Sequence, residues 1–526
     1  MLRLRTAALL LLAISGSAFA LGPHTTLEIV SKNIAPDGFL RPATLANGVF
    51  PGPIITAIKG QEFAVNVVDN LTETSLDLAT SIHWHGILQH HTNYVDGSAS
   101  VSQCPLVPNE SFLYKFNALS QSGTFWYHSH YSNQYCDGLR GPLIIYDPED
   151  PQKYLYDCDD ADTVITISDW YHYLSGNSPP IPLFNTTLIN GKGRNYGGPS
   201  NVSLAVVNVQ QGKRYRFRLI SMSCDPSFLF SLDGHQMTVI EVEGNNVQPV
   251  LVDGVNLYAG QRYSVVVTAN QPVANYWLRA RPTSGGEGTG NFSNFINVGV
   301  LHYAGAPNAN PLEDPSVNVP VLQLPLNETD LHPLIPSPVP GQPFPGGADI
   351  NINLASELNT AGTAFLMNGV VFVPPTIPVL LQILSGAKNA SQLLPAGSIY
   401  GLERNKSVEL TVPGGALGGP HPMHLHGHPF YVVRGAGNST YNFDNPVIRD
   451  VVSNGLQGDI VTIRFFTNNP GPWFFHCHID WHLTAGFAVV FAEDVPEVPQ
   501  KDFVNDAWEQ LCPTYEAFLN ATGGHS

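Results

Sequence analysis

Histidines in pairs separated by one residue are the main chemical feature of this sequence. Imidazole nitrogens ligate metals such as copper, zinc, iron and nickel, so a concentration of pairs predicts a metal site. Random placement of 19 histidines among 526 residues gives about 0.7 such pairs. Four pairs occur in repeated contexts: His83/His85, His128/His130, His424/His426 and His476/His478. One pair alone is equally compatible with a hydrogen-bonded structural role, whereas four together indicate a shared metal-binding function.

The spacing of the pairs also predicts where their side chains point. Residues i and i+2 of a β-strand lie on the same face, so each pair aims two imidazoles at one place. Eight imidazoles suit a cluster of ions better than a single ion.

Cys477, which lies between two paired histidines, indicates which metal is bound. Because successive side chains of a strand point to opposite faces, Cys477 points away from His476 and His478 and towards a second site. His482 lies five residues later, and His421 lies an odd number of positions before the third pair, so both can face that second site. Two histidines and one cysteine are the ligand set of a blue-copper centre.

Phe487 occupies the position where such centres often have a weak axial methionine. Its side chain has no donor atom, which disfavours Cu(II) relative to Cu(I), so we expect a high reduction potential. A role as a core aromatic is compatible with this interpretation. Ser129 stands where the first half of the chain would need a cysteine, so that half is expected to lack a mononuclear copper.

The elements that must position these residues are short, alternating strands separated by turns. Examples are residues 63–68, 214–219 and 461–466, and no long helical pattern competes with them. The 48 glycines and 43 prolines fit many turns. These patterns favour an all-β fold built from antiparallel sandwiches.

An internal repeat indicates more than one sandwich. Residues 123–130 (GTFWYHSH) resemble residues 471–478 (GPWFFHCH), and a degenerate middle copy has Ser231 and Asp233 where histidines would stand. We therefore predict three domains, 21–150, 151–320 and 321–526, of which the middle one binds no metal.

Composition restricts the partners and the location. The net charge is −18 without a basic stripe, which argues against nucleic acid. Residues 1–20 have a basic start, an apolar run and a small-residue cleavage site, which predict a signal peptide and a secreted, extracellular protein. After residue 20 the sequence contains no unbroken run of 18 apolar residues, so we predict no membrane span.

Ten sequons predict N-glycans at some of these positions: Asn70, Asn109, Asn185, Asn201, Asn291, Asn327, Asn389, Asn405, Asn438 and Asn520.

These motifs resemble those of the fungal laccases, in the multicopper oxidase family, over essentially the whole chain. The motifs are residues 83–86 (HWHG), 126–130 (WYHSH), 421–428 (HPMHLHGH) and 476–482 (HCHIDWH). The resemblance implies three cupredoxin-like Greek-key β-sandwich domains, of which the middle one lines the substrate pocket, and four copper ions. It also implies one-electron oxidation of phenolic and related aromatic donors at a type 1 copper, coupled to four-electron reduction of O₂ to water at a type 2/type 3 cluster. Lignin degradation is one process that uses this machinery.

The resemblance further implies a role for each ligand. The type 1 ligands would be His421, Cys477 and His482, with Phe487 in the non-coordinating axial position. The type 2 ligands would be His83 and His424. One type 3 copper would be held by His85, His128 and His478, and the other by His130, His426 and His476.

Three carboxylates and four cysteines also match the family. Asp225 corresponds to the residue that meets the phenol hydroxyl, where a carboxylate can accept the proton, although a turn role is an alternative. Asp96 and Asp480 correspond to carboxylates that relay protons to reduced oxygen in the family. A structural role is the alternative for both residues. The disulfides implied are Cys104–Cys512 and Cys136–Cys224, which leave Cys158 free. The protein is expected to be a monomer.

A ferroxidase and a copper store or carrier are the two alternative functions. A ferroxidase would need carboxylates beside the type 1 histidines to bind Fe(II), and Asp225 alone is weak evidence for such a site. A copper store or carrier would not need a His-Cys-His bridge between two sites.

Overall fold

The computed structural model describes residues 20–199, 201–283 and 291–523. The predicted signal peptide, residues 1–20, therefore lies outside the described residues except for Ala20. Strands dominate the described chain and confirm the all-β prediction. They form three pairs of facing sheets, one pair per sandwich, and one additional two-stranded sheet.

The first sandwich contains eight strands in two four-stranded sheets. These strands are β1 (His24–Ile34), β2 (Arg41–Ala46), β3 (Ile55–Ile58), β4 (Glu62–Asn70), β5 (Ile82–His85), β6 (Ser111–Asn117), β7 (Gly123–Ser129) and β8 (Arg140–Tyr146). Their spatial order is β2-β1-β4-β6 in one sheet and β3-β8-β7-β5 in the other. Strand β4 shows why the sheets pack, because its alternate residues Phe63, Val65 and Val67 are buried and the intervening ones are more exposed.

The second sandwich contains eleven strands in sheets of six and five. These strands are β9 (Val164–Trp170), β10 (Thr186–Ile189), β11 (Val206–Val209), β12 (Arg214–Ser221), β13 (Phe228–Leu232), β14 (Met237–Val242), β15 (Asn245–Val252), β16 (Val255–Leu257), β17 (Arg262–Thr268), β18 (Asn275–Pro282) and β19 (Val298–Tyr303). The degenerate copy of the histidine motif lies here. Asp233 pairs with Arg279 at 2.6 Å, so the position is occupied by an ion pair instead of a ligand.

The third sandwich contains two five-stranded sheets and the two-stranded sheet. Its strands are β20 (Ile350–Asn353), β21 (Ser356–Leu358), β22 (Phe365–Met367), β23 (Ile399–Leu402), β24 (Ser407–Pro413), β25 (Pro422–Leu425), β26 (Phe430–Arg434), β27 (Ile448–Arg449), β28 (Val451–Ser453), β29 (Ile460–Phe466), β30 (Gly471–Cys477) and β31 (Ala488–Glu493). Four α-helices accompany them: α1 (Val379–Leu384), α2 (Asp480–Thr484), α3 (Val498–Lys501) and α4 (Asp506–Thr522).

The repeated motifs lie on equivalent strand pairs. Strand β5 pairs antiparallel with β7, with His83 opposite His128. Strand β25 pairs antiparallel with β30, with His424 opposite His476. The same arrangement of histidines is therefore built once in the first sandwich and once in the third.

Two disulfides tie these parts together and confirm the pairing that the resemblance implied. One joins Cys104 to Cys512 in α4, and the other joins Cys136 to Cys224. Cys158 is half-buried and pairs with no cysteine in the described chain. Among the described residues, no helix is long and apolar enough to span a membrane.

Candidate metal centres

His421, Cys477 and His482 meet at one point in the third sandwich. The Sγ atom of Cys477 lies 3.7 Å from the Nδ1 atoms of both histidines, and these two Nδ1 atoms lie 3.1 Å apart. His421 and Cys477 are fully buried, whereas His482 is partly exposed. One thiol and two imidazoles converging in this way form the donor set of a trigonal blue-copper site.

Phe487 packs against this site and is fully buried. Its ring centroid lies 4.9 Å from that of His421, and Phe365 stacks on it at 4.9 Å. Its backbone carbonyl accepts a hydrogen bond from the Cys477 amide at 3.1 Å. Phe487 is therefore both a core aromatic and an apolar neighbour of the converging donor atoms.

The eight paired histidines form three groups between the first and third sandwiches. Within each group the ligand atoms lie within 4.8 Å of one another. The groups are His83/His85/His424, His85/His128/His478 and His130/His426/His476. All eight side chains are buried. The structure thus brings together residues that are more than 300 positions apart in the sequence.

The hydrogen bonds of these histidines show that the pocket fits metal ions. The Nδ1 atoms of His83, His128 and His424 each lie 2.8 Å from a backbone carbonyl, to which an N–H can donate. Their Nε2 atoms, and that of His130, are buried without a hydrogen-bond partner among the described residues. Buried polar atoms normally have a partner. Four such nitrogens in one pocket therefore suit coordination, with the carbonyls fixing ring orientation.

Burial keeps the histidines in the neutral form that binds metals. Burial, with repulsion from neighbouring imidazoles, lowers the pKa well below its ordinary value for His85, His128, His424 and His426. Burial also lowers the pKa of His130 and of His478 to about 3. It lowers the pKa of His421 to about 4 and raises that of the Cys477 thiol.

Asp96 lies directly behind two of the grouped histidines. One of its carboxylate oxygens is 2.8 Å from Nδ1 of His426, and its backbone carbonyl is the oxygen that His83 contacts. Asp96 is buried. It can therefore hold both imidazoles in place.

Asp480 and Asp225 both lie near Cys477 at the end of strand β30. Asp480 accepts a hydrogen bond from Asn133 at 3.1 Å, and burial raises its pKa to about 8. Asp225 is half-buried, and burial together with the charge of Asp169 raises its pKa to about 7. The backbone joins the two segments, because the Asp480 amide donates to the Cys224 carbonyl at 2.9 Å.

Asp450 is a residue that no sequence motif revealed. Its Oδ1 lies 3.0 Å from Nε2 of His85, and its backbone carbonyl lies 2.8 Å from Nδ1 of His424. Arg262 of the second sandwich donates to both carboxylate oxygens at 2.6 Å. Asp450 stands alone in the sequence, without spacing to a histidine pair, so only the tertiary structure identifies it.

Comparisons with known proteins agree with this arrangement. Family profiles described as multicopper oxidase match residues 28–150, 161–306 and 372–497. The chain belongs to the multicopper oxidase family. The family implies four copper ions, one type 1, one type 2 and two type 3, as predicted.

Relatives of this multicopper oxidase include fungal laccases. Laccase-2 of Trametes villosa is 54% identical over 97% of both chains. The laccase of Phlebia radiata is 54% identical over 98% of both. The crystal structure of the laccase from Botrytis aclada is 30% identical, with a TM-score of 0.80, over 95% of this chain and 93% of that one. The prediction of a laccase is confirmed, and the ferroxidase alternative is not favoured.

Proposed function

We propose that this multicopper oxidase takes electrons from phenolic donors at His421, Cys477 and His482 and reduces O₂ at the eight-histidine cluster. The position of Cys477 is the observation that carries the proposal. Its sulfur faces His421 and His482, while its two sequence neighbours, His476 and His478, belong to two different histidine groups. Only a few covalent bonds of the chain separate the two sites.

The cluster ligands divide according to the three groups. His83 and His424 would hold a type 2 copper, whereas His85, His128 and His478 would hold one type 3 copper and His130, His426 and His476 the other. Bound copper supplies one-electron redox chemistry at the first site and four-electron reduction of O₂ at the second. The protein contributes neutral imidazoles whose rings are already oriented by carbonyl and carboxylate partners.

An electron donor would approach the site of His421, Cys477 and His482 from the side of His482. It is partly exposed, unlike His421 and Cys477. A Cβ atom on Gly418 would lie only 3.2 Å from the His482 ring, so the glycine keeps that edge uncovered. Asp225 would accept the proton that a phenol loses together with its electron.

Asp96 and Asp480 would move protons towards reduced oxygen. Asp96 touches His426, and Asp480 lines the same small cavity as His128, His130 and His478. A carboxyl whose pKa is raised to about 8 still holds its proton at neutral pH and can donate it.

We further propose that the protein is secreted, glycosylated and monomeric, with domains at 21–150, 151–320 and 321–526. Its disulfides suit an oxidising compartment. Seven of the ten sequon asparagines are exposed: Asn70, Asn109, Asn201, Asn327, Asn389, Asn405 and Asn520. We propose these seven as the sites where glycans are found.

Replacing the bridging cysteine tests the assignment. Cys477→Ser removes the thiolate ligand, so we expect the strong blue absorption and phenol oxidation to be lost, while the copper content falls from four ions per chain to three. Absorption spectra, copper analysis and oxygen uptake with a phenol measure these effects. Cys158→Ser is the matched control, because it removes the other free thiol.

Two outcomes would contradict the proposal. One is a copper-loaded, unsubstituted protein that is colourless and consumes no oxygen with a phenol. The other is a Cys477→Ser variant that keeps its blue colour.

A further inference from the structure

Asp169, a fully buried carboxylate at the end of β9, holds the segment that carries Asp225. The Cys224 amide donates to its two oxygens at 2.9 and 3.1 Å, and the Asp225 amide donates to one of them at 3.1 Å. Hydrogen bonds from two successive amides to one carboxylate fix the direction of the backbone. The position of the Asp225 side chain therefore depends on Asp169.

Tyr171 connects this carboxylate to the neighbour of His482. Its hydroxyl donates to Asp169 at 2.8 Å and accepts from Nε1 of Trp481 at 3.2 Å. Tyr171 is buried, and burial raises the pKa of its hydroxyl well above the ordinary value, so it remains a donor. Trp481 directly precedes His482 in the sequence.

The surrounding contacts make this a rigid unit. Arg140, also fully buried, donates to the Asp169 backbone carbonyl at 2.9 Å and approaches its carboxylate at 3.4 Å. On the other side the Asp480 amide donates to the Cys224 carbonyl at 2.9 Å. The Asp225 segment is thus held both by the second sandwich and by the segment that contains His482.

We infer that Asp169 and Tyr171 are positioning residues for phenol oxidation, which set the distance between Asp225 and His482. The inference rests on the proposed role of Asp225 as proton acceptor. A phenol must present its hydroxyl to Asp225 while its ring reaches His482, so a small displacement of either partner costs rate. A donor without a proton to lose needs only His482.

Tyr171→Phe tests the inference without removing a buried charge. Losing the hydrogen bonds of one hydroxyl is expected to lower kcat/KM for guaiacol about fivefold. Ferrocyanide carries no transferable proton, so its kcat/KM is expected to fall by less than about twofold. Tyr173→Phe is the matched control, because the Tyr173 hydroxyl donates instead to the Leu183 carbonyl at 3.3 Å.

A double-mutant cycle with Asp225→Asn separates this inference from the function on which it rests. If Asp225 is the acceptor and Tyr171 acts through it, Tyr171→Phe has little further effect on guaiacol once Asp225 is replaced. Equal losses with both donors, no loss with either, or an effect of Tyr171→Phe that persists in full without Asp225 would overturn the inference. If Asp225→Asn itself leaves guaiacol oxidation unchanged, the proposed role of Asp225 fails instead, and the inference falls with it.

Discussion

Asp450 orients two cluster histidines at once, one through its side chain and one through its backbone carbonyl. Groups behind metal ligands fix the tautomer and the ring orientation, and their loss typically weakens metal binding by about 10- to 100-fold. Here the effect should be at the upper end of that range, because His85 belongs to two of the three histidine groups.

We therefore expect Asp450→Asn to lower the affinity for copper at the cluster and to slow oxygen consumption. The asparagine keeps the shape but turns one acceptor oxygen into an N–H donor that faces Arg262 or His85. Copper per chain after dialysis against graded chelator measures the loss. Asp444→Asn, an exposed carboxylate in the same segment, should retain full copper. Equal copper retention by the two variants would show that Asp450 does not support the cluster.

Asp225 makes stability depend on pH in a direction that can be worked out. Its pKa is raised from the ordinary 3.8 to about 7 by burial and by Asp169. The folded protein thus binds this proton more tightly than the unfolded chain does. Its contribution to stability is complete below about pH 4 and is lost as the pH rises through about 7.

Asp225→Asn carries no carboxylate to ionise. The free energy of unfolding of this variant, relative to the unsubstituted protein, should therefore increase between pH 4 and pH 7. Urea denaturation at both values measures the change. A difference between the two proteins that does not vary with pH would show that Asp225 has an ordinary pKa in the folded state.

At the scale of elements, strand parity allowed much of the site to be predicted. A His-x-His pair on β5 must point both rings to one side, and Cys477 on β30 must point to the other. The sequence could not predict which loops lie behind those strands. Asp450 follows from the way its segment folds onto β25, and Asp169 acts on a segment more than fifty residues later, whereas Asp96 is predicted only through the family resemblance. Contacts of this kind do not follow the periodicity of a strand, so the sequence pattern does not predict them.

The short turn Asn93–Val95 and the residues after it press Asp96 against β5. Gly97 has φ of +86°, and a Cβ atom there would lie 1.7 Å from the carbonyl oxygen of Ile82 at the start of β5. Two backbone segments would have to separate, and the hydrogen bonds of Asp96 would move with them.

We expect Gly97→Ala to destabilise the fold by well over about 1 kcal/mol and to lower the copper content. Gly60→Ala is the matched control, because Gly60 has φ of +85° with nothing within 4 Å of a new Cβ. It carries the same backbone strain without the clash. Melting temperatures and copper per chain compare the variants, and equal losses would show that backbone strain alone matters at Gly97.

At the scale of the whole molecule, the second sandwich connects the other two although it holds none of the histidine groups found in the described chain. Its Glu243 pairs with Arg449 at 2.7 Å, and its Arg262 pairs with Asp450 at 2.6 Å. These partners are buried, so separating either pair would leave an uncompensated charge. The second sandwich therefore fixes Asp450, and through it His85 of the first sandwich.

Each of the three histidine groups contains residues from both the first and the third sandwich. Copper bound there would link the two sandwiches, whereas the site of His421, Cys477 and His482 lies within the third alone. A ligand that binds only the folded state stabilises it by about 2.7 kcal/mol at a concentration of 100 Kd. Removing copper with a chelator is therefore expected to lower the melting temperature measured by calorimetry. Cys477→Ser should lower it much less, because that variant keeps the link between the sandwiches. Two outcomes would contradict this: equal melting temperatures for the copper-free and the copper-loaded protein, or a Cys477→Ser variant whose melting temperature is as low as that of the copper-free protein. Either would show that the ion pairs and disulfides, and not the cluster, hold the sandwiches together.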